Sequence, residues 1–146
     1  MEFKVAPAGK GDFAEITDVW EASVRATHDF LTEEDIASLR PLVLNKYLDA
    51  VNLDCIKNTA GEIVGFVGIL DDRIEMLFID PAYRGKSIGK FLTRYATEEV
   101  GARKVDVNEQ NTQAIGFYEH LGFEIIGRSP LDGRGLPFPL LHLKMP

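Results

Sequence analysis

Seven residues with the sequence RGKSIGK, at positions 84–90, lie between a strand-like apolar run and a helical pattern, and they constrain the fold most strongly. The run at 73–79 is apolar, and apolar side chains recur at helical spacing from Ile88 onward. Glycines and cations in such a loop indicate that main-chain N–H groups bind an anion at the positive end of a helix dipole. The sequence therefore predicts a strand, an anion-binding loop and a helix, in this order.

The spacing within this loop excludes two common nucleotide-binding motifs. A Walker loop has the form GxxxxGK[ST], whereas Gly85 and Gly89 are closer together and Phe91 stands where the hydroxyl residue should be. The dinucleotide fingerprint GxGxxG is absent as well, because these are the only two glycines of the loop. The loop is therefore still predicted to bind an anion through its main-chain N–H groups, but its sequence alone does not identify which anion.

The rest of the sequence predicts one domain over residues 1–146, with elements in the α/β style. The segments 53–57, 63–70 and 73–79 are joined by short polar turns and predict an antiparallel meander. The sequence TEED at 32–35 predicts an N-terminal cap on the second helix. Strands are expected at 2–6, 53–57, 63–70, 73–79, 104–107, 123–126 and 140–144, and helices are expected to begin near residues 12, 32, 88 and 112.

Composition excludes several classes of partner. A formal net charge of −7 argues against nucleic acid, because binding to the phosphate backbone depends on clustered Lys and Arg. No apolar run approaches the roughly 18 residues of a membrane span. Cys55 is the single cysteine and fits a reducing compartment, and His28, His120 and His142 show no metal-ligand spacing. We therefore expect a cytoplasmic protein with no metal and no nucleic-acid or membrane partner.

Two motifs together resemble those of one enzyme family. The loop reads Arg84, Gly85, Lys86, Ser87, Ile88 and Gly89, close to the signature Gln/Arg-x-x-Gly-x-Gly/Ala. Downstream, N-x-x-A-x-x-x-Y-x-x-x-G-F is matched by Asn111, Ala114, Tyr118, Gly122 and Phe123. In this order and context the chain resembles the GNAT family of acetyl-CoA-dependent N-acetyltransferases. The segments RATHDFL and GRSPLDGRGLPFPLLHL also resemble small bacterial members of that family.

This resemblance implies both a fold and a co-substrate. The expected fold is α/β (α+β), with a mixed, largely antiparallel, twisted sheet of six to seven strands, about four helices on its faces, and a splay between the fourth and fifth strands. Acetyl-CoA is the implied co-substrate. The residues implied to bind it are Leu77, Phe78, Ile79, Arg84, Gly85, Lys86, Ser87, Ile88, Gly89, Lys90, Asn111, Ala114, Phe117 and Tyr118.

Ser87 departs from the family signature, which has glycine at this position. If the position requires a positive φ, serine costs roughly 1 kcal/mol relative to glycine. Alternatively, Ser87 caps the following helix and offers its hydroxyl to a phosphate oxygen. Both interpretations predict that the loop still binds acetyl-CoA.

Two residues are candidates for the chemistry. Period-two alternation places Glu75 on the face of Leu77 and Ile79, opposite Ile74, Met76 and Phe78. Glu75 is thus a candidate base for the acceptor amine, although a solvated strand residue would show the same pattern. Tyr118 resembles the general acid of the family, although its helical spacing also fits a packed aromatic.

The acceptor is less well defined. His28 and Asn108 are candidate acceptor-binding residues, because the resemblance places them beside the acceptor pocket and at the splayed strand end. Asn111 either orients the pantetheine arm or caps the fourth helix. The expected acceptor is an amine of a small molecule or a protein, and the chain is expected to be a monomer or a homodimer. The alternative function is a catalytically silent sensor that binds acyl-CoA.

Overall fold

In the computed structural model, which describes residues 4–146, the backbone is organised around one sheet. The strands found in this range are β1 (Lys4–Pro7), β2 (Asn52–Lys57), β3 (Ile63–Leu70), β4 (Arg73–Ile79), β5 (Lys104–Asn108), β6 (Glu124–Ser129) and β7 (Leu140–Lys144). Their order is β1-β2-β3-β4-β5-β7-β6, and every neighbouring pair is antiparallel except β4 and β5. The predicted mixed sheet and the meander are confirmed, while Glu2 and Phe3 of the predicted first strand lie outside the described residues.

Helices cover both faces of the sheet. They are α1 (Phe13–Thr27), α2 (Glu33–Leu42), α3 (Ile88–Arg94) and α4 (Thr112–His120). The predicted cap of α2 is confirmed as a capping box, in which Thr32 and Asp35 exchange bonds of 2.9 and 3.0 Å between side chain and main-chain N–H. No helix within residues 4–146 is long and apolar enough to cross a membrane.

Two apolar cores lie on opposite faces of the sheet. On one face, α1 and α2 pack Ile16, Trp20, Val24 and Ile36 against Leu53, Cys55, Phe66 and Met76. On the other face, α3 and α4 pack Ile88, Leu92 and Tyr118 against Val64, Val67, Ile74 and Val105. Burial raises the pKa of the Cys55 thiol, as expected for a cysteine that packs as a small apolar side chain.

The sheet opens between β4 and β5. Only Arg73 with Lys104 and Ile74 with Val105 are registered across this parallel pair, so the strands diverge beyond Ile74. The predicted splay is thereby confirmed. Parallel strands direct their carboxyl ends to the same edge, and this is the edge at which ligands bind in open α/β sheets.

A β-bulge at Glu75 alters the predicted facing of β4. Gly68 of β3 pairs with Met76 and the adjacent Ile69 pairs with Ile74, which leaves Glu75 as the extra residue. The predicted alternation is wrong at this point, because Ile74 packs in the same core as Leu77 and not with Met76. Bulges commonly change the direction of a side chain next to an active site. As the extra residue of this bulge, Glu75 departs from the regular alternation of β4.

Candidate active site

A cleft of about 510 Å³ opens where β4 and β5 diverge. Its walls come from these strands, the end of α1, the glycine loop and α4. Lys86 does not line it. The predicted site residues that do line it are His28, Glu75, Leu77, Phe78, Ile79, Arg84, Gly85, Ser87, Ile88, Gly89, Lys90, Asn108, Asn111, Ala114, Phe117 and Tyr118. Residues far apart in sequence are thus brought to one site.

The loop at 84–90 presents main-chain donors. Within the described chain, the N–H groups of residues 85–90 have no hydrogen-bond acceptor, while the N–H of Phe91 already bonds to the carbonyl of Ser87 at 2.9 Å. These unpaired donors fit an anionic ligand, since a helix leaves its first N–H groups free. Arg84 is held beside them, because its Nη2 donates to Oε1 of Gln113 at 3.0 Å.

Gly89 allows the loop helix to approach α4 closely. A Cβ at this position would lie 3.3 Å from the ring of Phe117. The second glycine of the loop signature therefore serves packing between α3 and α4, and it brings the anion-binding loop next to the helix that carries Tyr118.

Ser87 adopts the left-handed conformation, with φ 63° and ψ 18°. Its side chain makes no capping hydrogen bond, so the predicted cap is wrong and the positive φ is confirmed, while a bond from its hydroxyl to a phosphate oxygen stays a prediction. A left-handed conformation is costly for a residue with a Cβ, because the Cβ crowds the following carbonyl. Ser87 therefore adopts a backbone conformation that glycine would adopt without strain, at an expected cost of roughly 1 kcal/mol.

We expect Ser87→Gly to change the affinity for acetyl-CoA by less than about tenfold, or about 1.4 kcal/mol. Glycine removes the strain at φ 63°, but it adds conformational entropy to the unfolded chain, so the two effects on stability largely cancel. Calorimetric titration with acetyl-CoA measures the affinity. Ser87→Ala is the matched control, since it keeps the strain and removes the hydroxyl. A much tighter-binding glycine variant would contradict this account of the loop.

His28 and Asn111 form a bridge between α1 and α4. The Thr27 hydroxyl donates to the Ser23 carbonyl at 2.8 Å, so the 2.8 Å contact between Thr27 Oγ1 and His28 Nδ1 requires an N–H on Nδ1. His28 Nε2 then accepts from Asn111 Nδ2 at 3.4 Å. Burial lowers the pKa of His28, with Asp29 acting in the opposite direction, which agrees with this neutral ring.

Asn111 also caps α4, because its Oδ1 accepts from the N–H of Ala114 at 3.2 Å. Of the two predicted roles, N-capping is therefore present in the structure. Since both ring nitrogens of His28 are occupied, any contact of His28 with an acceptor would have to use the rest of its ring, which packs between Phe30 and Phe78.

Tyr118 places a buried phenol at the cleft. Its exposed fraction is 6%, and the rings of Phe117 and Phe123 contact it edge-on at centroid distances of 5.1 and 5.4 Å. Burial raises the pKa of the Tyr118 phenol. Among residues 4–146, no group hydrogen-bonds to this hydroxyl. The Tyr118 ring is therefore packed against its neighbours. Its hydroxyl stays protonated and donates no hydrogen bond within the described residues.

Carboxylates line the strand side of the cleft. Glu75 and Asp106 both face it, and Arg73 lies between them, with Nη1 2.7 Å from Asp106 Oδ1 and Nε 4.0 Å from Glu75 Oε1. Burial raises the pKa of Glu75, Arg73 lowers it, and Asp106 raises it further. The loop side carries Arg84 and Lys90 instead, so the cleft has one cationic and one anionic wall.

Asp106 was missed by the sequence predictions. A signal was present, because Asp106 lies two positions before Asn108 on the same strand, and period-two alternation places both on one face. Within the described residues, no group of three or more His, Cys, Asp or Glu side chains is arranged to hold a metal ion.

Comparisons with known proteins agree with this geometry. Residues 53–125, half of the chain, match the acetyltransferase (GNAT) domain family. The peptidyl-lysine N-acetyltransferase YjaB of Salmonella typhimurium is 43% identical over 128 residues, which cover 88% of each chain. The solution structure of apo-form YjaB from Escherichia coli superposes with a TM-score of 0.87 at 36% identity, over 99% of this chain and 97% of that one.

A more distant structure shares the fold. It is the PaiA N-acetyltransferase from Thermoplasma acidophilum in complex with coenzyme A, with a TM-score of 0.77 and 21% identity over 100% of both chains. The family match, the relative of high identity and the shared fold lead to one conclusion. The chain belongs to the GNAT family, and it is an acetyl-CoA-dependent N-acetyltransferase.

Proposed function

We propose that the acceptor is the side-chain amine of a protein lysine, with Glu75 as the base and Tyr118 as the acid. The observation that carries this proposal is the opposition of charge across the cleft, with Arg84 and Lys90 on the loop side and Glu75 and Asp106 on the strand side. The cationic loop side attracts phosphate groups, and the anionic strand side attracts an ammonium group. The relative named peptidyl-lysine N-acetyltransferase supports the choice of lysine.

The cleft residues fit acetyl-CoA, which supplies the acetyl group as an activated thioester. The free N–H groups of residues 85–90 and the cations Arg84 and Lys90 would hold its phosphates. Beyond Ile74, β4 stays paired with β3 but has no partner on the side that faces β5, so the peptide groups on that side are available to the amides of the pantetheine arm. Phe117 and Ala114 would pack against that arm.

Proton transfers complete the assignment. A lysine ammonium must lose a proton before its nitrogen can attack, and Glu75 accepts this proton. As the new C–N bond forms and the C–S bond breaks, Tyr118 donates its proton to the departing sulfur. A second N–H proton is lost as the amide forms and balances the proton given by Tyr118, so one proton is released overall. Because burial raises the pKa of Tyr118, its phenol stays protonated until it donates the proton to the departing sulfur.

The test is a thiol-release assay with a matched set of acceptors. We expect a peptide with one lysine and a blocked N-terminus to release CoA, with mass spectrometry locating one acetyl group on the lysine. The same peptide with arginine in place of lysine should release CoA only at the background rate. Binding of acetyl-CoA without CoA release for any amine would favour the sensor function, and a preference of more than 100-fold for small polyamines would contradict a protein acceptor.

A further inference from the structure

Three side chains form a hydrogen-bonded row on β5, β7 and β6, leading away from the cleft. Oδ1 of Asp106 lies 2.6 Å from Nδ1 of His142, and Nε2 of His142 lies 2.6 Å from Oγ of Ser129. Asp106 and His142 are registered partners on adjacent strands, which explains their contact. Asp106 lines the cleft, but His142 and Ser129 do not.

The direction of each hydrogen bond follows from the groups involved. A carboxylate only accepts, so Nδ1 of His142 carries the proton shared with Asp106. Nε2 accepts from the Ser129 hydroxyl when the ring is neutral and donates to Ser129 Oγ when the ring is charged. The order serine, histidine, aspartate is that of a nucleophilic triad. Here, however, the aspartate faces the cleft and the serine lies away from it, so the row supports Asp106 and does not activate Ser129 toward a substrate in the cleft.

Asp106 is fixed through one oxygen only. Arg73 Nη1 and His142 Nδ1 both donate to Oδ1, at 2.7 and 2.6 Å. Oδ2 bonds to no other group in the part of the chain that the structure describes. A carboxylate held in this way keeps one oxygen available for a further donor, and its orientation is fixed in advance by its neighbours.

We propose that Asp106 binds the ammonium group of the acceptor through Oδ2, and that Arg73 and His142 position it through Oδ1. This inference rests on the proposed lysine acceptor and adds a specificity-determining residue to the site. In this arrangement Asp106 binds the ammonium group, and the nearby Glu75 removes a proton from that group. Arg73 bonds to Asp106 and lies 4.0 Å from Glu75, so it limits the repulsion between the two carboxylates.

Asp106→Asn is the central test, because it keeps the size of the side chain and removes its charge. We expect KM for the lysine peptide to rise tenfold to 100-fold, as for loss of a charge-assisted hydrogen bond, with kcat within threefold. The dissociation constant for acetyl-CoA should stay the same. An unchanged KM, or a fall in kcat alone, would overturn the assignment.

A neutral acceptor separates charge recognition from a structural role. Methoxyamine is uncharged at neutral pH, so its KM should not respond to Asp106→Asn if Asp106 recognises the ammonium charge. A merely structural role would raise KM for both acceptors, and that result would contradict the proposal. If the wild-type enzyme turns over methoxyamine and not the lysine peptide, the proposed acceptor has failed, which is distinguishable from failure of Asp106→Asn to change KM.

His142 is tested as a positioning residue by a conservative pair of variants. His142→Ala removes the donor to Asp106, and we expect KM for the lysine peptide to rise about fivefold. His142→Asn can restore an N–H donor near the position of Nδ1 and should recover most of this loss. Equal KM values for the two variants and the wild type would show that His142 does not position Asp106. Thermal unfolding checks that each variant is folded.

Discussion

Replacement of Tyr118 by phenylalanine is expected to lower kcat by about 100-fold while leaving the fold as stable as before, or slightly more stable. General acid catalysis by a positioned side chain contributes about this much. The hydroxyl has no hydrogen-bond partner within the described chain and is 6% exposed as part of its residue. No buried side-chain nitrogen or oxygen of the described residues lacks a partner, so this unpaired hydroxyl borders the open cleft, and its removal breaks no hydrogen bond within the fold.

Three measurements test this result. Single-turnover CoA release gives the chemical step, calorimetric titration should give a dissociation constant for acetyl-CoA within threefold of the wild type, and thermal unfolding gives the stability. Tyr95→Phe is the matched control, because Tyr95 also carries a phenol, which lies outside the cleft and interacts with Asp54. We expect this control to keep kcat within twofold. A Tyr118→Phe variant with normal kcat would show that another group protonates the sulfur.

The pH dependence of Tyr118 has a definite sign. Its pKa is raised by burial, so the phenol stays protonated up to a higher pH than a free tyrosine, whose pKa is about 10. Ionisation of Tyr118 therefore cannot cause a fall in activity at mildly alkaline pH. Any such fall must come from another group.

Replacement of Glu75 by glutamine is expected to lower kcat/KM for the lysine peptide by about 100-fold, because the amide cannot accept the ammonium proton. In its proposed role Glu75 acts when it is ionised, and its pKa is raised, chiefly by burial. Activity of the wild type should consequently decline on acidification at a higher pH than for an ordinary glutamate. The Gln variant should lack this acidic decline and show only the ionisation of the amine itself.

Glu62→Gln is the matched control, since Glu62 is an exposed carboxylate that bonds to Asn58 away from the cleft. A pH profile of kcat/KM for the three proteins decides the assignment. Retention of the acidic decline in Glu75→Gln would assign the base to another residue, with Asp106, which also lines the cleft, as the next carboxylate candidate. The raised pKa also means that the folded state binds this proton more tightly than the unfolded chain, so protonation of Glu75 favours folding as pH falls through that range.

The sequence predicts the loop and the α4 motif well, because glycine positions and helical spacing are local properties. The positive φ of Ser87 was one of two predicted alternatives, since the family signature has glycine there. The facing of Glu75 could not be predicted, because one extra residue in β4 relative to β3 breaks the alternation, and strand pairing sets that register. Likewise, His28 and Asn111 are 83 positions apart, and only the folded chain brings them together.

The row from Asp106 to Ser129 was equally inaccessible to sequence patterns. The spacing of His142 in the sequence bears only on metal binding, whereas its hydrogen-bond partner Asp106 lies on a neighbouring strand 36 positions away. Contacts of this kind depend on the strand order, in which β7 inserts between β5 and β6. That order places a histidine from the end of the chain beside the cleft wall.

Because β4 diverges from β5, we expect the lifetime of this protein to depend on the supply of acetyl-CoA. With only two registered pairs, the sheet contains an internal edge whose peptide groups lack partners in the described chain. In the proposed mode of binding, acetyl-CoA pairs with this edge and stabilises only the folded state, by about 2.7 kcal/mol at a concentration 100 times its dissociation constant. Cellular proteases act on opened chains, so the enzyme is expected to persist when acetyl-CoA is plentiful and to be degraded faster when it is scarce.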